Sequence, residues 1–144
     1  MKLSTRTRYG IRAILELAEN EGGEPLQLRI IAKNQGLSIK YLEQLMGTLK
    51  LGGFVRGIRG AKGGYILAKA PNEIKLNDVF TCLEGPVVTA ECVENEDYCV
   101  RTADCAARQA WRQVQDAVKN VMESITLQDM VDMAKNKETL DYQI

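Results

Sequence analysis

Histidine is absent from the 144-residue chain. A catalytic triad with a histidine base and a metal site with imidazole ligands are therefore excluded. No apolar run is longer than four residues, whereas a membrane-spanning helix needs about 20. The opening residues also lack the apolar core of a signal peptide. We expect a cytoplasmic protein with no membrane partner.

Charge is unevenly distributed, although the totals of 19 basic and 19 acidic residues cancel. Residues 1–75 carry 13 basic and 6 acidic side chains, a net of +7, and residues 76–144 carry 6 and 13, a net of −7. Such segregation predicts a basic half that meets a polyanion and an acidic half held away from it. A dipolar protein without an anionic partner would show the same pattern.

Three helices are predicted in the basic half, over residues 4–20, 28–35 and 38–50. Gly36 is placed to end the second helix, and Ser38 to cap the third. The third helix has apolar residues at helical spacing on one side and polar residues on the other. Two helices joined by three or four residues around a glycine form a helix-turn-helix pattern.

A basic β-hairpin is predicted directly after this helix pair. Two strand-like runs, over 54–59 and 65–68, flank a glycine-rich turn at 60–64. A basic hairpin at this position is typical of a wing. We therefore predict a mainly α fold that begins with a winged helix-turn-helix DNA-binding domain over residues 1–75.

The acidic half is predicted to divide at a cysteine-containing loop. A short helix over 77–84 leads into an irregular segment, 86–104, and a final helix runs from Thr126 to about residue 137. We predict a linking unit over 76–104 and a unit over 105–144 that contains a long dimerisation helix and a short C-terminal helix.

The long helix, predicted over 105–125, carries an apolar seam. Its residues follow each other at intervals of four and three: Ala107, Trp111, Val114, Val118, Val121 and Ile125. A narrow seam of this spacing is typical of one helix packing along another. Ordinary core packing is the alternative, but polar residues on both flanks favour a dimer interface.

Four cysteines divide into two groups. Cys82 lies in an apolar run and is expected to be a small buried residue. The other three are spaced Cys-x6-Cys-x5-Cys in the acidic loop: Cys92, Cys99 and Cys105. Three thiols in a cytosolic chain indicate metal or redox chemistry. The tight cysteine pair of a zinc site is absent, so an iron–sulfur cluster is favoured. Without a Cys-x-x-Cys pair or a histidine, a thiol redox enzyme is not expected.

The sequence resembles the Rrf family of winged-helix regulators. The resemblance rests on the opening MKLSTRTRYG, the helix segment KYLEQL, the wing segment RGAKGGY and the three spaced cysteines. Within the family the resemblance is to iron–sulfur cluster regulators of the IscR type. It implies a homodimeric transcription factor that binds palindromic promoter DNA, controls cluster biogenesis genes and senses cluster status through a [2Fe–2S] centre on Cys92, Cys99 and Cys105. Cluster donor or assembly proteins are further implied partners.

One position departs from the family pattern. The resemblance implies a histidine ligand three residues after the third cysteine, where this chain has Arg108, and an arginine stays protonated. An acidic ligand early in the first helix is also missing, because Arg8 occupies that position. Open candidates for the fourth ligand are Cys82, Glu94, Asp97, Asp104 and an external thiol. The alternative is a cluster-free repressor that responds to thiol oxidation or to a cysteine-metabolism enzyme.

We expect the third helix to enter the major groove and the wing to reach the adjacent minor groove. Gln44 suits adenine or a guanine edge, Glu43 suits cytosine N4, and Arg59 suits a narrow minor groove. The remaining predicted contacts position phosphates: Arg6, Arg8, Ser38, Lys40, Tyr41 and Lys62.

Overall fold

The structure is a computed structural model that describes the backbone of residues 2–142 and the side chains of residues 2–137. The described part of the chain contains seven α-helices and one two-stranded antiparallel sheet. In chain order these are α1 Thr5–Glu19, α2 Leu28–Gln35, α3 Ile39–Leu51, β1 Val55–Ile58, β2 Gly64–Leu67, α4 Leu76–Glu84, α5 Glu91–Glu94, α6 Ala106–Ser124 and α7 Leu127–Tyr142. Short 3-10 turns lie at Pro71–Glu73 and Glu96–Tyr98.

The helix-turn-helix pair has the predicted local chemistry. Gly36 ends α2 in the left-handed conformation, with φ of 67°, which glycine adopts without the steric cost of a side chain. Ser38 caps α3, because its hydroxyl oxygen accepts a hydrogen bond from the backbone nitrogen of Tyr41. The mainly helical fold with a small hairpin is confirmed.

The hairpin follows α3 directly and pairs Val55 with Leu67 and Ile58 with Gly64. Val55 and Leu67 at its base are buried in the core, whereas residues 56–62 are exposed. The hairpin is therefore anchored at its base and projects its turn outward.

One main core joins α1, α2, α3, the base of the hairpin, α4 and α7. Ile14, Leu42 and Leu127 are fully buried in it. Hydrogen bonds from the backbone nitrogen of Leu76 to the oxygen of Ile125, and from that of Leu127 to the oxygen of Ile74, tie the start of α7 to the lobe. The C-terminal helix thus packs onto the same core as the helix-turn-helix.

Two predicted segments differ in detail. The loop expected to be irregular over 86–104 contains α5 and a 3-10 turn. The final helix is 16 residues long rather than short, because no glycine or proline follows its Thr126–Asp129 cap before its end. Among residues 2–142, no helix combines the length and apolar character needed to cross a bilayer.

Candidate nucleic-acid interface and cysteine loop

Helix α3 separates a buried face from an exposed polar face. Its buried residues fill the core: Leu42, Leu45, Met46 and Leu49. Lys40, Glu43 and Gln44 are all exposed, and Lys40 and Gln44 lie one turn apart on the same side. The hydroxyl of Ser38 accepts in the helix cap and keeps its proton for another acceptor. The exposed face can therefore donate and accept hydrogen bonds along about one helical turn.

The start of α1 lies beside this face. The Arg6 guanidinium donates to the hydroxyl oxygen of Thr48 over 3.1 Å, and that hydroxyl donates to the backbone oxygen of Gln44, also over 3.1 Å. Arg6, Tyr41, Gln44 and Thr48 line a cleft of about 130 Å³ together with Leu45. The sequence prediction named Arg6 and Gln44 separately; the structure brings them together through Thr48, which it had not singled out.

A stack of aromatic and cationic groups joins α1 to α3 a little further along. The rings of Tyr9 and Tyr41 meet edge to face with centroids 6.5 Å apart, and the Arg12 guanidinium lies 5.6 Å from the Tyr9 ring centroid. Arg8 is exposed, 3.5 Å from the hydroxyl of Thr5. The ring contacts hold Tyr41 in place and leave Arg12 exposed. Arg12 was not among the DNA contacts predicted from the sequence.

The wing and the end of α3 enclose a second cleft of about 480 Å³. Arg59 lines it together with Lys50 and Gln27, and Lys62 is exposed in the neighbouring turn. The sequence prediction did not include Lys50 or Gln27. Lys50 could have been found as the basic residue in the last turn of α3, but the approach of Gln27 depends on how α2 packs against the wing.

The apolar seam of α6 is largely uncovered. Trp111, Val114 and Val121 remain 48%, 48% and 57% exposed, whereas Val118 and Ile125 are half-buried. A groove of about 450 Å³ lies beside the seam, with an almost wholly apolar lining: Leu3, Ile11, Leu76, Phe80, Ala117, Val118, Val121 and Met122.

The cysteine loop is held against α6 by polar side chains. The Arg108 guanidinium donates from Nε to the backbone oxygen of Cys92 over 2.6 Å, and its Nη2 lies 3.7 Å from a carboxylate oxygen of Glu96. About two turns beyond Arg108 on α6, Gln115 is buried. Its side-chain amide donates to a carboxylate oxygen of Glu94 and accepts from the backbone nitrogen of Thr89. Residues 89–96 are thereby fixed to the helix.

The three loop thiols do not form a cluster site in this arrangement. Within the described residues, no group of three or more Cys, Asp or Glu side chains is placed to hold a metal ion. Cys99 is exposed, and Cys92 and Cys105 are half-buried. A [2Fe–2S] centre needs four gathered ligands, and the position at which the family has a histidine holds the cationic side chain of Arg108, which is only 12% exposed. The donor set therefore does not fit the predicted cluster.

Cys82 lies apart from the loop, beneath α3. Its thiol donates to the backbone oxygen of Thr48 over 3.5 Å and packs against the main core. Burial raises the pKa of the Cys82 thiol, and the charge of Arg6 opposes this more weakly. The sequence predicts a buried Cys82, whereas in the structure it is partly buried at the edge of the core. Its thiol is not grouped with those of the loop.

A carboxylate lies at the start of α1. Glu84, at the end of α4, accepts hydrogen bonds from the hydroxyls of Ser4 and Thr7. These bonds hold the pKa of the Glu84 carboxyl below its ordinary value, and the bond from Ser4 has the larger effect. A negative group here also complements the positive end of the helix.

Comparison with known proteins gives a consistent assignment. Residues 3–133 match the family described as "Rrf2: Iron-dependent Transcriptional regulator". The chain is 42% identical over 130 residues to the HTH-type transcriptional regulator CymR of Bacillus subtilis, covering 90% of this chain and 89% of that protein. It is 34% identical over 141 residues to the regulator IscR of Pectobacterium carotovorum, covering 98% and 84%.

Solved structures agree with these sequences. The structure of CymR, described as the global cysteine regulator of B. subtilis, is similar with a TM-score of 0.80, 41% identity and coverage of 92% of this chain and 98% of that one. The structure of T. potens IscR is similar with a TM-score of 0.75 and 40% identity, and the match covers 93% of this chain and 88% of that one. The prediction that the chain is an IscR-type member of the family is not confirmed, since its sequence identity to the CymR relative is higher than that to the IscR relative. The named relatives are regulators rather than enzymes, and the chain belongs to the Rrf2 family of DNA-binding transcriptional regulators.

Proposed function

We propose that the protein is a homodimeric repressor that reads promoter DNA with α3 and the wing and responds to the thiol or cysteine status of the cell without an iron–sulfur cluster. The observation that supports DNA reading is the exposed polar face of α3, with Arg6 tied to it through Thr48 and Arg59 on the adjoining wing. The net charge of +7 on residues 1–75 supplies attraction to phosphate.

In this proposal α3 lies in the major groove. Gln44 pairs with adenine or a guanine edge, and Glu43 accepts from cytosine N4 while it disfavours base edges that offer only acceptors. Arg59 enters the minor groove from the wing. The phosphate-positioning residues would be those predicted from the sequence: Arg6, Arg8, Ser38, Lys40, Tyr41 and Lys62. We add Arg12 and Lys50 because both lie exposed beside them.

The apolar seam of α6 supports a dimer. Trp111, Val114 and Val121 are each about half exposed and follow a spacing of three and seven residues, the pattern of a helix that packs along a second helix. The adjoining apolar groove gives a second copy further surface to bury. Two copies would present two α3 helices to a two-fold symmetric site, and half-sites one helical turn apart, about 34–36 Å, are a common arrangement.

The cluster-free mode is supported by the cysteine loop itself. Its thiols are not gathered, and the Arg108 guanidinium, which cannot ligate a metal, occupies the backbone oxygen of Cys92. The similarity to a global cysteine regulator favours a signal from cysteine metabolism, delivered by an enzyme partner or by oxidation of the exposed Cys99 thiol.

An iron–sulfur sensor is the second candidate. The three spaced cysteines, the description of the family as iron-dependent and the similarity to IscR proteins favour it. It requires Cys92, Cys99 and Cys105 to gather in a loop conformation other than the one described. Genes of cluster biogenesis would then be the targets, and cluster donor proteins the partners.

One experiment separates the two candidates. The protein is purified anaerobically, treated with iron and sulfide, desalted, and examined by visible absorbance and iron content. The cluster-free proposal predicts a colourless protein that still binds its promoter fragment. A brown protein with two irons per chain, whose colour is lost in Cys92→Ala, would establish the iron–sulfur sensor.

A further inference from the structure

We infer that Arg108 is a positioning residue that keeps the cysteine loop folded on α6 in the absence of metal. This inference rests on the proposed cluster-free function and extends it by naming the group that orders the loop. The observation that carries it is the position of a nearly buried guanidinium between the helix and the loop backbone.

The contacts of Arg108 account for the anchoring. Its Nε donates to the backbone oxygen of Cys92 over 2.6 Å, a short bond from a charged donor, and charge-assisted bonds are roughly twice as strong as neutral ones. Its Nη2 is buried, has no hydrogen-bond partner, and lies 3.7 Å from Glu96. Because desolvating a guanidinium is costly, the side chain would not stay in this position unless its contacts to the loop were kept.

The loop has little else to order it. Helix α5 is only four residues long and none of its residues is buried. Backbone bonds at its two ends run from the nitrogen of Val93 to the oxygen of Ala90 and from the nitrogen of Asn95 to the oxygen of Glu91. An isolated single turn of this kind is not stable in water. Three residues of α6 form hydrogen bonds with residues 89–96: Arg108, Gln115 and, through its backbone oxygen, Trp111. Arg108 is the only charged one.

Hydrogen exchange measured by mass spectrometry tests the inference on the full-length protein with chelator present. We expect the amides of residues 91–98 to be protected in the wild type. Arg108→Ala should accelerate their exchange at least about tenfold, since the bond it removes has a charged donor. Arg112→Ala removes the same charge one turn along from an exposed position and should leave the exchange unchanged. Amides of α3 serve as the internal standard for intact folding.

A second measurement repeats the exchange experiment with iron and sulfide added and determines the iron content per chain, which a residue with a purely structural role would not change. Wild-type exchange over residues 91–98 should be the same with and without these additions, and Arg108→His, which introduces an imidazole ligand, should retain more iron per chain than the wild type. Exchange of the metal-free wild-type loop as fast as that of Arg108→Ala would overturn the inference. A cluster bound by the wild type, or a failure to bind promoter DNA, would instead count against the proposed function. The comparison of wild type with Arg108→Ala is independent of both, because it is made with chelator present and without DNA.

Discussion

Arg6 and Thr48, 42 residues apart in the chain, are joined by a hydrogen bond of 3.1 Å between the guanidinium and the hydroxyl oxygen. The same hydroxyl donates to the backbone oxygen of Gln44. The start of α1 and the exposed polar face of α3 are thereby linked at the point where we propose that both meet DNA. A threonine in the last turn of α3 thus holds an arginine that belongs to α1.

Thr48→Val should weaken promoter binding several-fold at fixed salt. The substitution keeps the shape of the side chain and removes the acceptor for Arg6, and a hydrogen bond to a charged group is worth about 1.5–3 kcal/mol; part of this is recovered by solvent at an exposed site. Promoter affinities of Thr48→Val, Arg6→Ala and the double variant, measured by fluorescence anisotropy, form a double-mutant cycle. If the two losses simply add, Thr48 does not act through Arg6.

Gln44→Ala and Lys40→Ala should differ in kind. Loss of the Gln44 amide should cost roughly 1–3 kcal/mol on the cognate site and relax its preference for one base pair. Loss of the Lys40 charge should weaken binding to all sequences alike and reduce the slope of log K against log salt by about one unit. Binding measured on cognate and scrambled duplexes at several salt concentrations distinguishes them. Equal effects on both duplexes for Gln44→Ala would remove it from base readout.

Val121→Glu should convert the dimer to a monomer. The side chain is 57% exposed in the single chain and would be covered by the partner, where an unpaired carboxylate is costly to bury. Gln113→Glu introduces the same charge on an exposed position of the same helix and should leave the mass unchanged. Sedimentation equilibrium gives the answer, and a Val121→Glu protein of dimer mass would place the interface elsewhere.

Glu84 should make stability depend on pH in the acid range. Its pKa is lowered in the folded protein by the hydroxyls of Ser4 and Thr7, so its contribution is present above the unfolded-state value, near 4.5, and is lost as the pH falls through the folded-state value. Glu84→Gln should therefore lower the melting temperature at pH 7 but not in strong acid. The control Glu123→Gln, at an exposed position, should leave the melting temperature at pH 7 unchanged. A difference in melting temperature between wild type and Glu84→Gln that persists at low pH would contradict the role of Glu84.

Much of the fold could be predicted because its signals are local. The Ser38 cap, the left-handed Gly36 and the spacing of the apolar residues of α3 each act within a few residues. The packing of α7 onto the winged lobe could not be predicted, because it places Leu127 in one core with α1 residues such as Ile14, more than a hundred positions earlier in the chain. For the same reason Gln27 and Thr48 were missed at the interface.

The cysteine loop shows a different limit of sequence reasoning. Spacing identified Cys92, Cys99 and Cys105 as a group, but spacing does not determine whether three side chains converge. That depends on what else occupies the loop, and the long side chain of Arg108 reaches back over 16 residues to the backbone of Cys92. The departure from the family pattern was visible in the sequence; its structural role was not.

Cys82 should be the slowest thiol to react with iodoacetamide at neutral pH. Burial raises its pKa and lowers its thiolate fraction, whereas Cys99 is exposed. Peptide mass spectrometry over a time course measures each site. Labelling of Cys82 as fast as Cys99 in the folded protein would show that α3 does not cover it.

The most direct test of the central claim is promoter binding by metal-free protein. Wild-type dimer treated with chelator is titrated onto a two-fold symmetric promoter fragment and onto a scrambled duplex at the same salt concentration. We expect the metal-free dimer to bind the promoter fragment at least about a thousandfold more tightly than the scrambled duplex, and we expect iron and sulfide to leave this affinity unchanged. Specific binding that emerges only after a cluster is installed would contradict it.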